Sequence, residues 1–152
     1  MTWPVFRKAL LADIPDLLNI ETESFPGDVI SQRSWRGLIG SPAANVVVVE
    51  DLRDLFGDYV LLFGARTSIA RLYSIAVAPD WRGRGIARLM AQDAIVRAVA
   101  HGATRLRLET RADNAKAQRL FESVGFTPFK RVPGYYEDGA EAIRYERPLV
   151  AA

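Results

Sequence analysis

One stretch constrains the fold more than any other. Residues 70–77 read as a strand ending in Ile75-Ala76-Val77, and Pro79 closes it. A glycine-rich turn, Arg82-Gly83-Arg84-Gly85, then opens the longest helix, Gly85 to His101. Polar Arg88, Gln92, Asp93, Arg97 and His101 form one stripe on that helix. Ala87, Met90, Ala91, Ala94, Ile95, Ala98 and Val99 are left for the core. Gly102 stands where a C′ glycine ends a helix. Arg105 to Thr110 then alternates, with Leu106, Leu108 and Thr110 on one face and Arg105, Arg107 and Glu109 on the other. Strand, helix and strand in this order require a right-handed crossover and a parallel pair.

The rest of the chain is fitted around that unit. Val5 to Leu11 is a strand, and Asp13 caps a helix that has Pro15 in its first turn and runs to about Ser24. Its inward residues are Ile14, Leu17, Leu18 and Ile20, and Phe25-Pro26-Gly27 stops it. Ser31 opens a short helix carrying Trp35, Leu38 and Ile39, ended by Gly40-Ser41-Pro42. Asn45 to Glu50 holds four consecutive valines, the composition of a strand buried on both faces. Asp51 to Asp58 reads as a polar turn, Tyr59 to Thr67 as the next strand, and the short links imply antiparallel pairing. Asp113 or Asn114 caps a helix with Ala117, Leu120, Phe121 and Val124 inward and Gly125 at its end. Phe126–Arg131 and Ala142–Arg147 are the last strands, joined through Gly134 to Gly139. The expected class is α/β (α+β), a single domain over residues 1–152. Its order is β-α-α-β-β-β-α-β-α-β-β, with one mixed, mostly antiparallel sheet and helices on both faces.

Composition narrows the chemistry. The 152 residues include no Cys and one His, His101, which excludes thiolate metal sites and a cysteine nucleophile and argues against any metal centre or Ser-His-Asp triad. The net charge of +2 hides a split: 5 basic and 9 acidic side chains in residues 1–60, against 15 and 9 in residues 61–152. A positive field over half a domain suits an anionic partner, although solvated helix faces also carry such charge. No apolar run is long enough for a signal or a membrane span, so the expectation is a cytoplasmic protein without membrane partners.

A glycine-rich turn at a helix N-terminus aims backbone N–H groups and the positive helix end outward, a setting for phosphate. Neither a P-loop Lys nor the third glycine of a dinucleotide fingerprint is present. The stretch Leu72-Tyr73-Ser74-Ile75-Ala76-Val77-Ala78-Pro79-Asp80-Trp81-Arg82-Gly83-Arg84-Gly85-Ile86-Ala87 resembles the acetyl-CoA motif of the GNAT superfamily of N-acetyltransferases. Its [QR]-x-x-G-x-[GA] core is Arg82-x-x-Gly85-x-Ala87. Leu108-Glu109-Thr110-Arg111-Ala112-Asp113-Asn114-Ala115-Lys116-Ala117 and Leu120-Phe121-Glu122-Ser123-Val124-Gly125-Phe126 are similar to that family's second conserved stretch. Within it the chain is most similar to the RimI type, which acetylates the N-terminal alanine of a ribosomal protein. Phe25-Pro26, Leu108-Glu109-x-Arg111-x-x-Asn114 and Tyr135-Tyr136 carry that likeness.

The resemblance implies roles. Backbone N–H groups from Gly83 through Arg84, Gly85, Ile86, Ala87 and Arg88 would hold the pyrophosphate of acetyl-CoA, with charge from Arg82, Arg84 and Arg88. Ile75, Ala76 and Val77 would pair with pantetheine, and Asn114 would meet it while also serving as a helix cap. Glu109 matches the general base, though on its strand face it could equally be one rung of an ion-pair ladder. Phe121, expected among the cofactor-binding residues, stands where the family's pattern has a Tyr acid, so Tyr135, Tyr136 or Tyr73 would substitute, or no acid is needed. The thiolate is already a tolerable leaving group at about the thiol pKa of 8.5. The acceptor would be a peptide or protein N-terminal amine. A small-molecule amine acetyltransferase and a non-catalytic acyl-CoA-binding module are the alternatives. The segments Phe25 to Ser41 and Pro133 to Glu141 would border the acceptor, and Asp28, Glu137, Asp138 and Glu141 would attract a cationic amine. No nucleic-acid partner is expected, and the chain would be a monomer or homodimer.

Overall fold

The structure is a computed structural model that describes residues 4–24, 30–52 and 54–150. The expected helix stop at Phe25-Pro26-Gly27 and the acid Asp28 lie outside the described residues. The strands are β1 (Val5–Lys8), β2 (Ala44–Glu50), β3 (Leu55–Phe63), β4 (Ile69–Val77), β5 (Arg105–Arg111), β6 (Thr127–Val132) and β7 (Ala142–Pro148). The helices are α1 (Ile14–Ser24), α2 (Gln32–Gly40), α3 (Ile86–Ala100) and α4 (Ala115–Ser123). All seven strands form one sheet in the order β1-β2-β3-β4-β5-β7-β6. β4 and β5 are parallel and every other pair is antiparallel, as the crossover and the short links require.

The valine run of β2 shows why the sheet needs helices on both faces. Val46 and Val48 pack with Leu17, Trp35 and Val60 under α1 and α2. Val47 and Val49 point the other way, into a larger core with Tyr59, Leu61, Met90, Ala94 and Leu106 beneath α3 and α4. The alanines of α3 let that helix lie close to the strands, with Met90, Ala94 and Ala98 fully buried.

Boundaries differ from the sequence reading at β1, at Asp13 and at β3, which runs Leu55–Phe63 in place of Tyr59 to Thr67. β1 stops at Lys8, and Leu11–Asp13 form a 3-10 turn before α1. Asp13 is therefore not a simple cap. Its carboxylate accepts the Leu10 N–H at 2.7 Å and two Arg7 guanidinium bonds at 2.9 and 3.0 Å. The third difference is the most consequential. β3 begins at Leu55, so Asp58 belongs to a buried strand and not to a polar turn. A run of polar letters concealed the period-2 placement of Asp58 on the face shared with Val60.

The Arg7 ion pair holds the Asp13 carboxyl below its usual range. Its stabilising contribution is present above the ordinary Asp pKa of about 3.9 and is lost as pH falls through the lower folded value. Asp13→Asn is expected to cost about 2 kcal/mol at neutral pH and to flatten the acid limb of a melting-temperature profile. An acid limb as steep as wild type would show that this pair contributes nothing.

Candidate active site

The site begins with a fault in β4. Val60 pairs with Ser74 but Leu61 pairs with Leu72, so Tyr73 is an extra residue and β4 bulges. Beyond the bulge β4 leaves its parallel partner. Only Ile69–Arg71 pair with Arg105–Arg107, and residues 72–77 diverge from residues 108–111. This fork opens the sheet at the C-terminal ends of two adjacent parallel strands.

The glycine turn lies at the mouth of the fork. Gly83 and Gly85 have φ of 77° and 78°, the left-handed conformation that glycine adopts without strain. A Cβ at either would meet no protein atom within 4 Å, so the space beside them is open to a ligand. The first bond of α3 is Leu89 N–H to Gly85 C=O at 3.2 Å, which leaves the Ile86, Ala87 and Arg88 N–H groups directed out of the helix end. Arg82 braces the turn, donating to the Val77 carbonyl at 3.0 Å and the Ser24 hydroxyl at 3.1 Å.

A cleft of about 470 Å³ runs from this turn into the fork. Ile75, Ala76, Val77, Arg82, Gly83, Gly85, Ile86, Ala87, Arg88, Asn114 and Phe121 all line it. Of the residues named from sequence for the cofactor, only Arg84 does not. Its guanidinium lies 4.7 Å from the Trp81 ring centroid and donates to the Asp80 carbonyl. Ser24, Trp81, Lys116, Ala117 and Leu120 complete the lining. Ala117 and Leu120 are only half-buried because this face of α4 is a cleft wall. Asn114 Oδ1 accepts the Ala117 N–H at 3.0 Å, the cap expected of it.

Phe121 is 4% exposed and packs edge-on against Phe126 at 5.7 Å. It is core and cleft wall together. Phe121→Ala is expected to lower stability by about 3–5 kcal/mol, read as a shifted denaturant midpoint with an unchanged slope. A loss below about 1 kcal/mol would mean that the ring carries little of the core.

On the opposite face of the fork stands a polar cluster. Glu109, with its side chain 10% exposed, meets Arg71 at 2.6 Å through Oε1. The Tyr135 hydroxyl donates to the same oxygen at 3.1 Å and accepts from Arg71 Nη2 at 2.8 Å. Tyr136 lies edge-on to Tyr135 at 5.0 Å, with the Arg111 guanidinium 4.9 Å from its centroid. Glu109 and Tyr135, some distance apart in sequence, are therefore in contact, and Tyr136 is one ring removed. The ladder reading of this face holds for its neighbours, since Glu146 takes both Arg105 and Arg107.

Sequence reasoning missed Arg71, and it missed a second group of polar residues on the β4 side of the fork. Glu21 of α1 is 1% exposed and Asp58 of β3 is 0% exposed. Their carboxyls lie close enough to act on each other's charge, and Ser74 Oγ donates to Glu21 Oε1 at 3.1 Å. Burial pushes Glu21 up to about 7, and burial together with the Glu21 charge pushes Asp58 well above its ordinary value. The spacing of Ile14, Leu17, Glu21 and Ser24 is itself helical, and that phase could have revealed Glu21 as inward-facing.

A fork-shaped cleft with a glycine turn at its mouth and a carboxylate–tyrosine cluster on its far side is a candidate site for transfer between an anionic donor and a second substrate. Residues 14–126 match the acetyltransferase (GNAT) family, and the chain belongs to it: it is a GNAT N-acetyltransferase. A ribosomal protein bS18-alanine N-acetyltransferase of Salmonella typhimurium is 40% identical over 129 residues, 82% of this chain and 81% of that protein. N-alpha-acetyltransferase 30 of Schizosaccharomyces pombe is 37% identical over 71 residues, 47% of each chain. The crystal structure of the ribosomal-protein-S18-alanine N-acetyltransferase from Escherichia coli superposes with a TM-score of 0.87 at 24% identity. That match covers 99% of this chain and 96% of the other. No helix among the described residues is long and apolar enough to cross a membrane.

Proposed function

We propose that this chain transfers the acetyl group of acetyl-CoA to the N-terminal amine of a peptide or protein by direct attack in a ternary complex. The observation that carries this is the fork, which has the open glycine turn on one face and the Glu109–Tyr135–Arg71 cluster on the other. The turn fits the proposed donor. Its glycines leave open space, the α3 N–H groups lack partners within their own helix, and Arg88 and Lys116 supply positive charge beside them. Ile75, Ala76 and Val77, released from β5 by the bulge, offer strand edges to the pantetheine amides. The donor supplies an activated thioester carbonyl, and the chain orients it and manages protons.

An α-amine has a pKa of about 7.7–8.0, so near neutrality it arrives largely as ammonium. Glu109 attracts that cation and takes a proton at Oε2, since Oε1 already serves Arg71 and Tyr135. The freed lone pair then attacks the thioester carbonyl. Tyr135 and Arg71 hold the carboxylate in place, and Tyr136 flanks the acceptor.

The test follows free thiol release from acetyl-CoA with an amine panel: peptides with Ala, Ser, Met or acidic N-termini, and polyamines or aminoglycosides. Turnover on peptides is the expected result. Turnover confined to small amines would replace the acceptor assignment, and no turnover on any amine would overturn the proposal.

A further inference from the structure

The mechanism above lacks a proton donor for the leaving sulfur, because Phe121 has no proton to give. It also leaves unused two buried carboxyls, Glu21 and Asp58, which are 1% and 0% exposed. Two carboxyls this close, in an apolar setting, cannot both be charged, and at least one proton stays on the pair. No cation among the described residues offsets either one. The groups acting on Glu21 are Asp58 from β3 and Ser74 from β4, and Asp58 is acted on by Glu21 alone. Neither Asp58 oxygen has a hydrogen-bond partner among the described residues. Buried acids with no counter-charge are costly to keep for packing alone, since apolar residues of the same size would be more stable there.

Their placement points to the cleft three times over. Glu21 lies one helical turn from Ser24, which lines the cleft and binds Arg82. Asp58 is the register partner of Ala76, a cleft residue. Ser74 directly precedes Ile75, another cleft residue, in the segment of β4 that has left β5. Ser74 is half-buried and is not itself part of the cleft lining, but it stands in chain between the bulge at Tyr73 and the cleft residue Ile75, with its hydroxyl on Glu21.

We propose that Glu21 and Asp58 form a proton store that protonates the leaving thiolate through the Ser74 hydroxyl, filling the role left empty by Phe121. This rests on the acetyl-transfer reading and deepens it. As the amine nitrogen bonds to the acetyl carbon, the C–S bond breaks and its electron pair goes to sulfur. Ser74 gives its hydroxyl proton to that sulfur and takes one from the carboxylic acid. The pair is left sharing a single proton, and the second proton shed by nitrogen restores it. A donor that ionises near 7 is well matched to a thiol of pKa about 8.5. Glu21 and Ser74 act through one another on the substrate, and Asp58 positions and charges them.

Four variants test this: Glu21→Gln, Asp58→Asn, Ser74→Ala and Ser74→Thr. With acetyl-CoA and the best amine of the panel, kcat is expected to fall at least tenfold in Glu21→Gln and Ser74→Ala, with KM for acetyl-CoA unchanged. Ser74→Thr, which keeps the hydroxyl, should recover most of the rate. The inflection near pH 7 in the wild-type kcat profile should vanish in Glu21→Gln. Difference infrared spectroscopy should show a protonated-carboxyl band at pH 7 that Glu21→Gln and Asp58→Asn each alter. Wild-type kcat and an unmoved pH profile in Ser74→Ala or Glu21→Gln would overturn the proton store while leaving acetyl transfer intact. Absence of turnover by wild type itself would overturn both. If a carboxyl variant does not fold, Ser74→Ala and Ser74→Thr decide the matter, since neither disturbs the buried pair's volume.

Discussion

Replacing Glu109 by Gln is expected to reduce thiol release by about 10²–10³-fold, within the usual range for loss of a general base. The amide keeps the shape and can still accept from Arg71 and Tyr135, so the fold and acetyl-CoA affinity should hold. What disappears is the basic oxygen and the negative charge that draws the ammonium. Two readouts follow. KM for the amine should rise along with the fall in kcat, and the rate of the variant should depend on pH only through the amine and the Glu21–Asp58 pair. Arg71→Met gives the complementary case, because it removes the cation that occupies Oε1 while leaving the carboxylate. A Glu109→Gln enzyme with wild-type kcat and pH profile would reduce Glu109 to a rung of the ion-pair ladder that its neighbours Arg105, Arg107 and Glu146 already form.

Gly85→Val should abolish measurable acetyl-CoA binding while the protein remains folded. Gly85 is the left-handed residue that turns the chain into α3, and an L side chain there costs about 1–2 kcal/mol, more when β-branched. That is tolerable for a sheet with two helical layers. The added side chain meets no protein atom within 4 Å of its Cβ, so it projects into the space beside the α3 N–H groups. Affinity by calorimetry should fall by at least a hundredfold, while the melting temperature drops by only a few degrees. Unchanged affinity would move the phosphate site away from this turn. Arg84→Ala serves as the contrast. Its guanidinium lies on Trp81 outside the cleft, so its loss should alter affinity much less than loss of Arg88.

Much of this was legible from the chain alone, for reasons that can be assigned. The period of α3, the glycine after it and the alternation of β5 are local signals, and they determine the crossover because only one handedness packs back onto the sheet. The valines of β2 declared a strand covered on both sides, and the two cores confirm it. The turn at Gly83 and Gly85 was readable because a left-handed backbone demands glycine. Asp58 was not readable: a lone acid beside Asp51 and Asp54 looks like a turn until tertiary pairing fixes the phase of β3. Arg71 was missed for a similar reason, since its contact with Glu109 crosses between two strands and nothing in its neighbours announces it.

The sequence by itself determined the order of elements, the sheet's two-sided burial, the glycine turn that opens α3 and the presence of a carboxylate at position 109. Those depend on residues close together in the chain. The tertiary structure alone decided which groups share a site. The bulge at Tyr73 separates β4 from β5 and opens the fork. The loop before β7 brings Tyr135 to Glu109. Folding α1 onto β3 and β4 places Glu21 against Asp58 and Ser74. A proton shared by two buried acids is a property of their separation and of the surrounding dielectric, and neither quantity exists until the sheet and its helices have packed.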